Sequence, residues 1–366
     1  MSDNPITVLG IETSCDETAA AVVRVLPDGK VEICSNVIYT QATEHDGYGG
    51  VVPELAARAH AEHTDQITER ALTEAGIDDP TRLDGVAATS GPGLIGGVMV
   101  GMMSAKALAL SHNIPFIPVN HLEGHALSAL LTDNITFPYL LLLVSGGHTQ
   151  LLLVKGVGNY HRLGTTIDDA AGEAFDKTAK LLGLGQPGGP KVEQTATGGD
   201  AQKYRFPRPL LKRDDCDFSF SGLKTAIRLA AENAAPLSPQ DKADLTASFQ
   251  LAVARHLCAK TLKAMEIIEA AGVTTLVIAG GVAANSLIRS TLENAVSDKG
   301  WQLVVPPAKY CTDNGAMIAL AGAKRIETTG IPDQAEALQM PPRARWPLDD
   351  DPDGKRYGGG KKGPKA

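Results

Sequence analysis

Two α/β domains facing each other across a cleft are what this sequence predicts, and three observations predict them. The chain has 366 residues, too many for one ordinary core and enough for two of roughly 150 residues each. Strand-like apolar runs alternate with helix-period segments along most of its length. Two hairpins, Val8–Val23 and Leu140–Val154, share one design: an apolar strand, a small polar turn, a second apolar strand. Their identity is too weak for a sequence repeat, so the likeness is one of topology. Two such halves would line one cleft with two phosphate-sized turns.

The elements follow in order. Thr7–Ile11 is a short β-branched run, Glu12–Thr18 is polar and Ala19–Val23 is apolar again, hence strand, turn, strand. Val51–Ala75 reads as a helix, with Pro53 near its start, Leu55, His60, Ile67 and Leu72 along it, and Gly76 as its stop. Gly85–Ala88 is a buried strand that runs into the glycine-rich loop 90–97, a helix from about Val98 to Ser111 and a strand at Phe116–Val119. The pattern restarts near Phe137. Strands at Tyr139–Val144 and Gln150–Val154 flank the turn Ser145-Gly146-Gly147-His148-Thr149. A helix at Ala170–Leu182 and a loop at Gly183–Pro190 precede an irregular stretch, 195–222, that carries Lys203, Arg205, Arg208, Lys212 and Arg213. Helices are expected near 223–233 and 239–271, a strand at Thr274–Ile278, a turn at Ala279–Val282, a helix at Ala283–Asp298 and a strand at Leu303–Val305. A short helix should follow Cys311-Thr312-Asp313-Asn314-Gly315. From Pro347 the tail is acidic, then rich in glycine and lysine, and it reads as lacking apolar residues to dock, so 347–366 is expected to be disordered.

Composition excludes several classes. With 43% apolar and 21% charged residues, wholesale disorder is ruled out. Glycine is in excess, at 38 residues, and without a collagen period it should sit in turns and where backbone approaches a ligand. The net charge of -8 argues against coating nucleic acid with bulk positive charge but leaves room for a local basic patch. The N-terminus has Asp3 and no basic n-region. The most apolar stretches, Tyr139–Val144 and Gly96–Leu110, are short or interrupted by Ser104 and Lys106, below the ~20 residues of a membrane span. The five cysteines (Cys15, Cys34, Cys216, Cys258, Cys311) are odd in number, dispersed and never in CxxC spacing, which disfavours disulfides and thiolate zinc. A soluble, cytoplasmic protein with no membrane attachment is expected.

The sharpest local signal is His121-Leu122-Glu123-Gly124-His125. Residues four apart share a helix face, so both imidazoles can reach one cation; two half-buried helix histidines fit the pattern equally well. In zinc proteases the first His is followed at once by a Glu that acts as general base. Here Glu123 is two residues on, about 200° around the helix, so protease chemistry is disfavoured. A third ligand is needed, and Asp313, beside a late strand end, is a candidate, although alone it reads as a turn residue. Ser145-Gly146-Gly147-His148-Thr149 fits either a plain hairpin or amides facing an anion; no G-x-S-x-G elbow supports a serine hydrolase. Gly280-Gly281 before Ala283-Ala284-Asn285 suits close approach of a nucleotide at a helix N-terminus, or plain helix–strand packing. It is neither a Rossmann fingerprint nor a P-loop. Asp16 and Glu17 could bind a cation, orient an amine or act as a base, or simply sit in a solvated loop. Cys15 lacks a partner base in reach. Asp176 reads as a surface helix acid and Gly188-Gly189 as a loop. The basic run from Lys203 to Arg213 could meet phosphates, though Asp214, Asp215 and Asp217 offset it.

Taken together and in this order, the motifs closely resemble those of one family. They are Gly10-Ile11-Glu12-Thr13-Ser14-Cys15-Asp16-Glu17-Thr18, Gly91-Pro92-Gly93, His121-x-Glu-Gly-His125, Val144-Ser145-Gly146-Gly147-His148-Thr149, Phe175-Asp176-Lys177, Phe218-Ser219-Phe220-Ser221-Gly222-Leu223-Lys224-Thr225, Gly280-Gly281-Val282-Ala283-Ala284-Asn285 and Thr312-Asp313-Asn314. The family is TsaD, the bacterial tRNA adenosine threonylcarbamoyltransferases, formerly labelled glycoprotein endopeptidases, and the resemblance spans about residues 6–330. It implies the ASKHA fold (actin-like ATPase, Hsp70, sugar kinase), with two ribonuclease-H-like domains flanking a cleft. The first would cover 1–133, joined by a C-terminal helix at about 314–330, and the second 134–313. The implied reaction moves a threonylcarbamoyl group from threonylcarbamoyl-adenylate to the exocyclic amine of adenosine 37 in tRNAs reading codons that begin with A, releasing AMP. Carried over by position, His121, His125 and Asp313 would hold one divalent metal, Fe(2+) ahead of Zn(2+). Val144, Ser145, Gly146, Gly147, His148, Asp176, Gly189 and Asn285 would hold the adenylate (or ATP), with Glu193 beside them. Asp16 or Glu17 would serve the attacking amine. The implied partners are tRNA, a paralogous TsaB-like subunit, a TsaE-like ATPase and a separate synthase that supplies the adenylate. An ATP-dependent kinase of the same superfamily is the first alternative, but such kinases use Mg²⁺ through oxygen ligands, not two histidines. A metalloprotease and a non-catalytic scaffold come next.

Overall fold

The computed structural model describes residues 4–45, 48 and 50–349. Its first sheet contains β1 (Ile6–Glu12), β2 (Glu17–Val25), β3 (Val31–Thr40), β4 (Gly85–Gly91) and β5 (Phe116–Asn120), in the order β3-β2-β1-β4-β5. The second contains β6 (Tyr139–Val144), β7 (Thr149–Gly156), β8 (Asn159–Thr165), β9 (Thr275–Ala279) and β10 (Gln302–Val304), in the order β10-β9-β6-β7-β8. Taken from the opposite edge, the second order repeats the first. In each sheet the first three strands form an antiparallel meander and the last two run parallel to the first. The topological likeness of the two hairpins therefore extends to five strands each, the duplicated α/β arrangement of the ASKHA fold.

Alternating side chains explain why the inner strands read as unbroken apolar runs. Val8 packs with Ala21, Val23, Ala87 and the helix Gly315–Thr329 on one face of the first sheet. Leu9 and Ile11 pack with Met102 and Ala105 of the helix Ile95–His112 on the other. In the second sheet Leu140, Leu142 and Val144 face the core under the helices Ala171–Leu182, Pro239–Ile267 and Ser286–Ser297. Tyr139, Leu141 and Leu143 face Leu122 and Ala126 of the helix His121–Leu127. A sheet covered on both faces needs no polar alternation, and each large apolar side chain so buried contributes about 1.5–3 kcal/mol. The edge strands β3 and β8 lie half in solvent and carry Glu32, Asn36, His161 and Arg162. Lacking an apolar run, they were invisible to the sequence reading.

Other boundaries shift for local reasons. The expected loop to Pro190 gives way to a helix at Gly188–Ala196. The expected helix from Ala283 starts at Ser286, capped by Asn285 after a single 3-10 turn. The helix after Asn314 is 15 residues long rather than short. Several glycines serve close packing rather than the cleft. A Cβ on Gly10 would lie 2.2 Å from the backbone nitrogen of Ala319, and one on Gly315 would lie 2.5 Å from the carbonyl carbon of Ala20. These two positions let the helix Gly315–Thr329 lie directly on β1 and β2.

The tail expectation is corrected for 347–349. Leu348 packs on the second sheet's core, and Asp349 accepts a hydrogen bond from the Arg162 N–H at 3.1 Å; residues 350–366 lie outside the described residues. Among the described residues one helix, Ile95–His112, is long and apolar enough by length and composition to cross a membrane; here its inner face packs on the first sheet while Ile95, Met99, Met103 and Leu110 are exposed. All five cysteines are free.

Candidate active site

The site begins where β5 ends. Asn120 accepts the Leu122 N–H on its side-chain oxygen at 2.9 Å, an N-cap that starts the buried helix His121–Leu127. Leu122 and Ala126 are committed to the second sheet's core, and Gly124 lies against Met317 and Ile318. His121 and His125 share the face that remains. Asp313 arrives from far along the chain, just before the helix Gly315–Thr329, whose N-cap Asn314 accepts from the Met317 N–H at 3.0 Å. Asp313 Oδ1 stands 3.0 Å from His125 Nε2 and 3.7 Å from His121 Nε2. The three ligand atoms lie within 4.8 Å of one another, so His121, His125 and Asp313 form a group able to hold a metal ion.

Sequence reasoning missed the support behind His121. Its Nδ1 faces Glu12 Oε2 at 2.9 Å and Ser14 Oγ at 3.1 Å. Glu12, wholly buried, also accepts from the Thr89 hydroxyl at 2.6 Å and the Ser14 N–H. The carboxylate turns the imidazole so that Nε2 faces Asp313, as an acid behind a metal-binding histidine does. A lone acid closing the apolar strand Ile6–Glu12 was the available signal. Charge supports the same fit. Burial opposes ionisation of the Glu12 carboxyl, but His121 outweighs it and holds the carboxyl below its ordinary value. Burial likewise opposes charge on His121, yet Glu12 and Asp313 raise it to about 9. Burial also acts against Asp313, which His121 and His125 nonetheless hold well below the usual carboxylate range. Two buried carboxylates around two imidazoles call for positive charge, and nitrogen and carboxylate donors suit iron or zinc. Glu123 takes no part. Fully buried, it accepts from Arg325 Nε at 2.6 Å and the Tyr160 hydroxyl at 2.8 Å, as its register on the helix required.

A cleft of about 410 Å³ opens in front of this group, lined on one side by Ser14, Cys15, Asp16 and Glu17 and on the other by Ser145, Gly146, Gly147 and His148. Burial, then Asp313 and Asp16, push the Glu17 carboxyl up to about 9. Burial, then Asp16, push the Cys15 thiol well up, so it is no ready thiolate. In the second turn the Ser145 N–H donates to the His148 carbonyl at 2.8 Å and the His148 N–H to Ser145 Oγ at 3.1 Å. A Cβ on Gly146 or Gly147 would meet nothing within 4 Å, so this stretch of backbone is open to the cleft. Gly280, at φ +94°, passes with its Cβ position 2.3 Å from the Val144 carbonyl oxygen. Gly281 and Thr312 complete that wall.

Of the residues singled out in the sequence, Asp16, Glu17, His121, Ser145, Gly146, Gly147, His148 and Asp313 line the cleft, and His125 backs Asp313. Val144 is fully buried in the second core, so only its backbone faces the turn. Asp176, Gly189, Glu193 and Asn285 stand apart from the lining. Asp176 accepts the Gly188 N–H at 3.0 Å, and burial first of all raises its carboxyl. Asn285 caps Ile288 at 3.0 Å and donates to Gln250 at 3.2 Å, while Glu193 accepts the neighbouring Ser286 N–H at 2.8 Å. The basic run is partly spent internally: Lys203 pairs with Asp244 at 2.8 Å and Arg213 with Asp215 at 2.7 Å. A separate hollow of about 530 Å³ is lined by Phe206, Arg208, Leu210, Leu211, Lys212 and Arg213.

Comparison with known proteins gives the chain a family. Residues 32–320 match the family model described as TsaD, tRNA N6-adenosine threonylcarbamoyltransferase. A protein of that name from Brucella ovis is 56% identical over 363 residues, 98% of this chain and 99% of its own, and one from Brucella canis is 55% identical over the same extent. Among solved structures, HypF of T. kodakarensis superposes with a TM-score of 0.59 at 16% identity, covering 92% of this chain and 51% of HypF, which bears on the fold alone. By this sequence likeness, the chain belongs to the tRNA N6-adenosine threonylcarbamoyltransferase family.

Proposed function

We propose that this protein transfers a threonylcarbamoyl group from threonylcarbamoyl-adenylate to the exocyclic amine of adenosine 37 in tRNAs that read codons beginning with A. One observation carries the reading. The His121, His125 and Asp313 group faces, across one cleft, an open glycine turn at Gly146 and Gly147. The adenylate is a mixed anhydride and is already activated, so positioning supplies much of the rate. The amine nitrogen bonds to the carbamoyl carbon, the bond from that carbon to the phosphate oxygen breaks, AMP leaves and the amine gives up a proton. Backbone amides from Ser145 to His148 steady the phosphate as charge develops. Asp16 or Glu17 orients the amine or takes its proton, and with the Glu17 carboxyl held at about 9 by its surroundings, the share of Glu17 is orientation. Asp176, Gly189, Glu193 and Asn285 serve the nucleoside end from the second half. His121, His125 and Asp313 would hold a divalent metal, iron(II) ahead of zinc, which when bound would supply Lewis acidity at this end of the cleft.

We divide the chain into domains at 1–133, with the helix Gly315–Thr329 added, and 134–313. The exposed apolar stripe of Ile95, Met99, Met103 and Leu110 supports a partner subunit of the TsaB-like kind, working with a TsaE-like ATPase and a separate synthase in the cytoplasm. The kinase alternative is disfavoured by the two histidine donors, and the protease by Glu123, tied to Arg325 and Tyr160. The test combines purified protein, those partners, the adenylate and unmodified tRNA. Modified adenosine is expected from the wild type, and a loss of at least about a hundredfold in His121→Ala and His125→Ala. Full transfer by those variants, or none by the wild type beside an active family member, overturns the reading. Full transfer by Glu17→Ala with adenylate binding intact removes that residue's role.

A further inference from the structure

The last described residues form a strap over the first sheet that the function above does not use. Lys106 Nζ holds the Leu338 and Met340 carbonyls, each at 2.8 Å. The Arg343 N–H donates to the Ser90 carbonyl at 2.9 Å, and the Gly93 N–H reaches the Ala344 carbonyl at 3.4 Å. Gly91 leaves room for this crossing, since a Cβ there would fall 2.0 Å from the Arg343 carbonyl oxygen. Asn120, which caps the helix bearing His121, donates from Nδ2 to the Trp346 carbonyl at 3.0 Å. Beyond it Asp349 reaches across to Arg162 on β8 of the second sheet. The strap thus spans both halves and is fixed largely by its own backbone.

That path carries Ala344 and Arg345 into the lining of the cleft, beside Pro92, Gly93 and Leu94. Among the described residues Arg345 is the one lysine or arginine in the lining, where the other ionisable side chains are Cys15, Asp16, Glu17, His121, His148 and Asp313. Its side chain is exposed. Its neighbour Ala344 bonds to Gly93, and the next N–H, that of Leu94, donates to the Ser14 carbonyl at 2.8 Å, so the strap runs beside the acidic turn rather than the open glycines, and an acceptor nucleotide facing an adenylate on Gly146 and Gly147 would lie on this side. A guanidinium there meets an anion at the rim of an otherwise acidic wall, and arginine grips phosphate with two donors at once.

Resting on the function proposed above, we infer that Arg345 binds a backbone phosphate of the acceptor RNA strand and seats the target adenosine in the cleft. The net charge of -8 then needs no bulk basic surface, because one cation is placed where the strand enters. The test uses the full chain assembled with its partner subunits. Binding of unmodified tRNA, binding of the adenylate and transfer are each measured for the wild type, Arg345→Ala and Arg345→Lys. Arg345→Ala should weaken tRNA binding about tenfold and reduce the slope of log affinity against log salt by about one. Adenylate affinity should stay unchanged, and Arg345→Lys should recover part of the loss. Unchanged tRNA affinity and salt slope overturn the inference. So does weakened adenylate binding with tRNA binding intact, which would give the arginine to the leaving phosphate. Wild-type protein that binds tRNA but transfers nothing counts against the proposed function instead, and leaves the arginine to be judged by binding.

Discussion

The two cleft turns are topological counterparts with opposite chemistry. Glu12–Glu17 joins β1 to β2, and Ser145–His148 joins β6 to β7, at the same place in two sheets of the same strand order. The first turn is filled with side chains, two of which, Glu12 and Ser14, reach His121. The second has two glycines with open space where side chains would be. One duplicated hairpin has become a carboxylate wall that shapes a metal group, and its twin a bare backbone wall that suits an anion. The lesson is that the architecture sets where chemistry can occur, and a few turn residues set which chemistry it is.

The contrast can be broken from either side. The largest effect is expected at Glu12→Gln, which keeps the shape but removes the charge that orients His121. Metal affinity measured by chelator competition should fall about 10–100-fold, and unchanged affinity would reduce Glu12 to a packing residue. Next is Gly147→Asp, which places a carboxylate where the phosphate should lie. Adenylate affinity by calorimetry should drop about tenfold, while the melting temperature holds, because the added side chain points into open space. An unchanged affinity would move the phosphate away from this turn.

The smallest effect sharpens the comparison through two histidines. His121, between carboxylates, is raised to about 9. His256, buried against the rings of Phe218 and Phe220, is pushed down to about 4, by burial first and then by Lys260 and Arg208, with Asp168 opposing. A histidine depressed in the fold is uncharged there, while the unfolded chain takes up its proton near pH 6.5. Its contribution to stability is therefore complete above about pH 6.5 and declines as pH falls toward 4, by at most about 1.4 kcal/mol per pH unit. Urea unfolding at pH 7 and pH 5 should show that decline in the wild type and a shallower one in His256→Leu. Equal slopes would mean that His256 stays neutral in neither state.

Much of this was legible beforehand, and the failures have physical causes. The inner strands announced themselves because both sheet faces are covered, as at Leu140–Val144. The edge strands Val31–Thr40 and Asn159–Thr165 did not, because half their residues meet water. The His121 and His125 pair was readable because helix periodicity is local. Glu12, Ser14 and Asn120 were not, since a single acid, hydroxyl or amide in sequence carries no mark of its distant partner. Arg345 fell outside the span of recognised motifs altogether.

The sequence by itself determined the α/β alternation, the duplicated hairpins and the residue types at the cleft, because burial periodicity and turn chemistry act over a few residues. The tertiary structure decided which of those residues meet. Asp313 stands against His125 across 188 positions of chain, brought there by a helix that reaches the sheet only where Gly10 and Gly315 remove the side chains between them. Such approaches are set by what is missing at two distant points at once, and a one-dimensional reading cannot tell a packing glycine from a turn glycine.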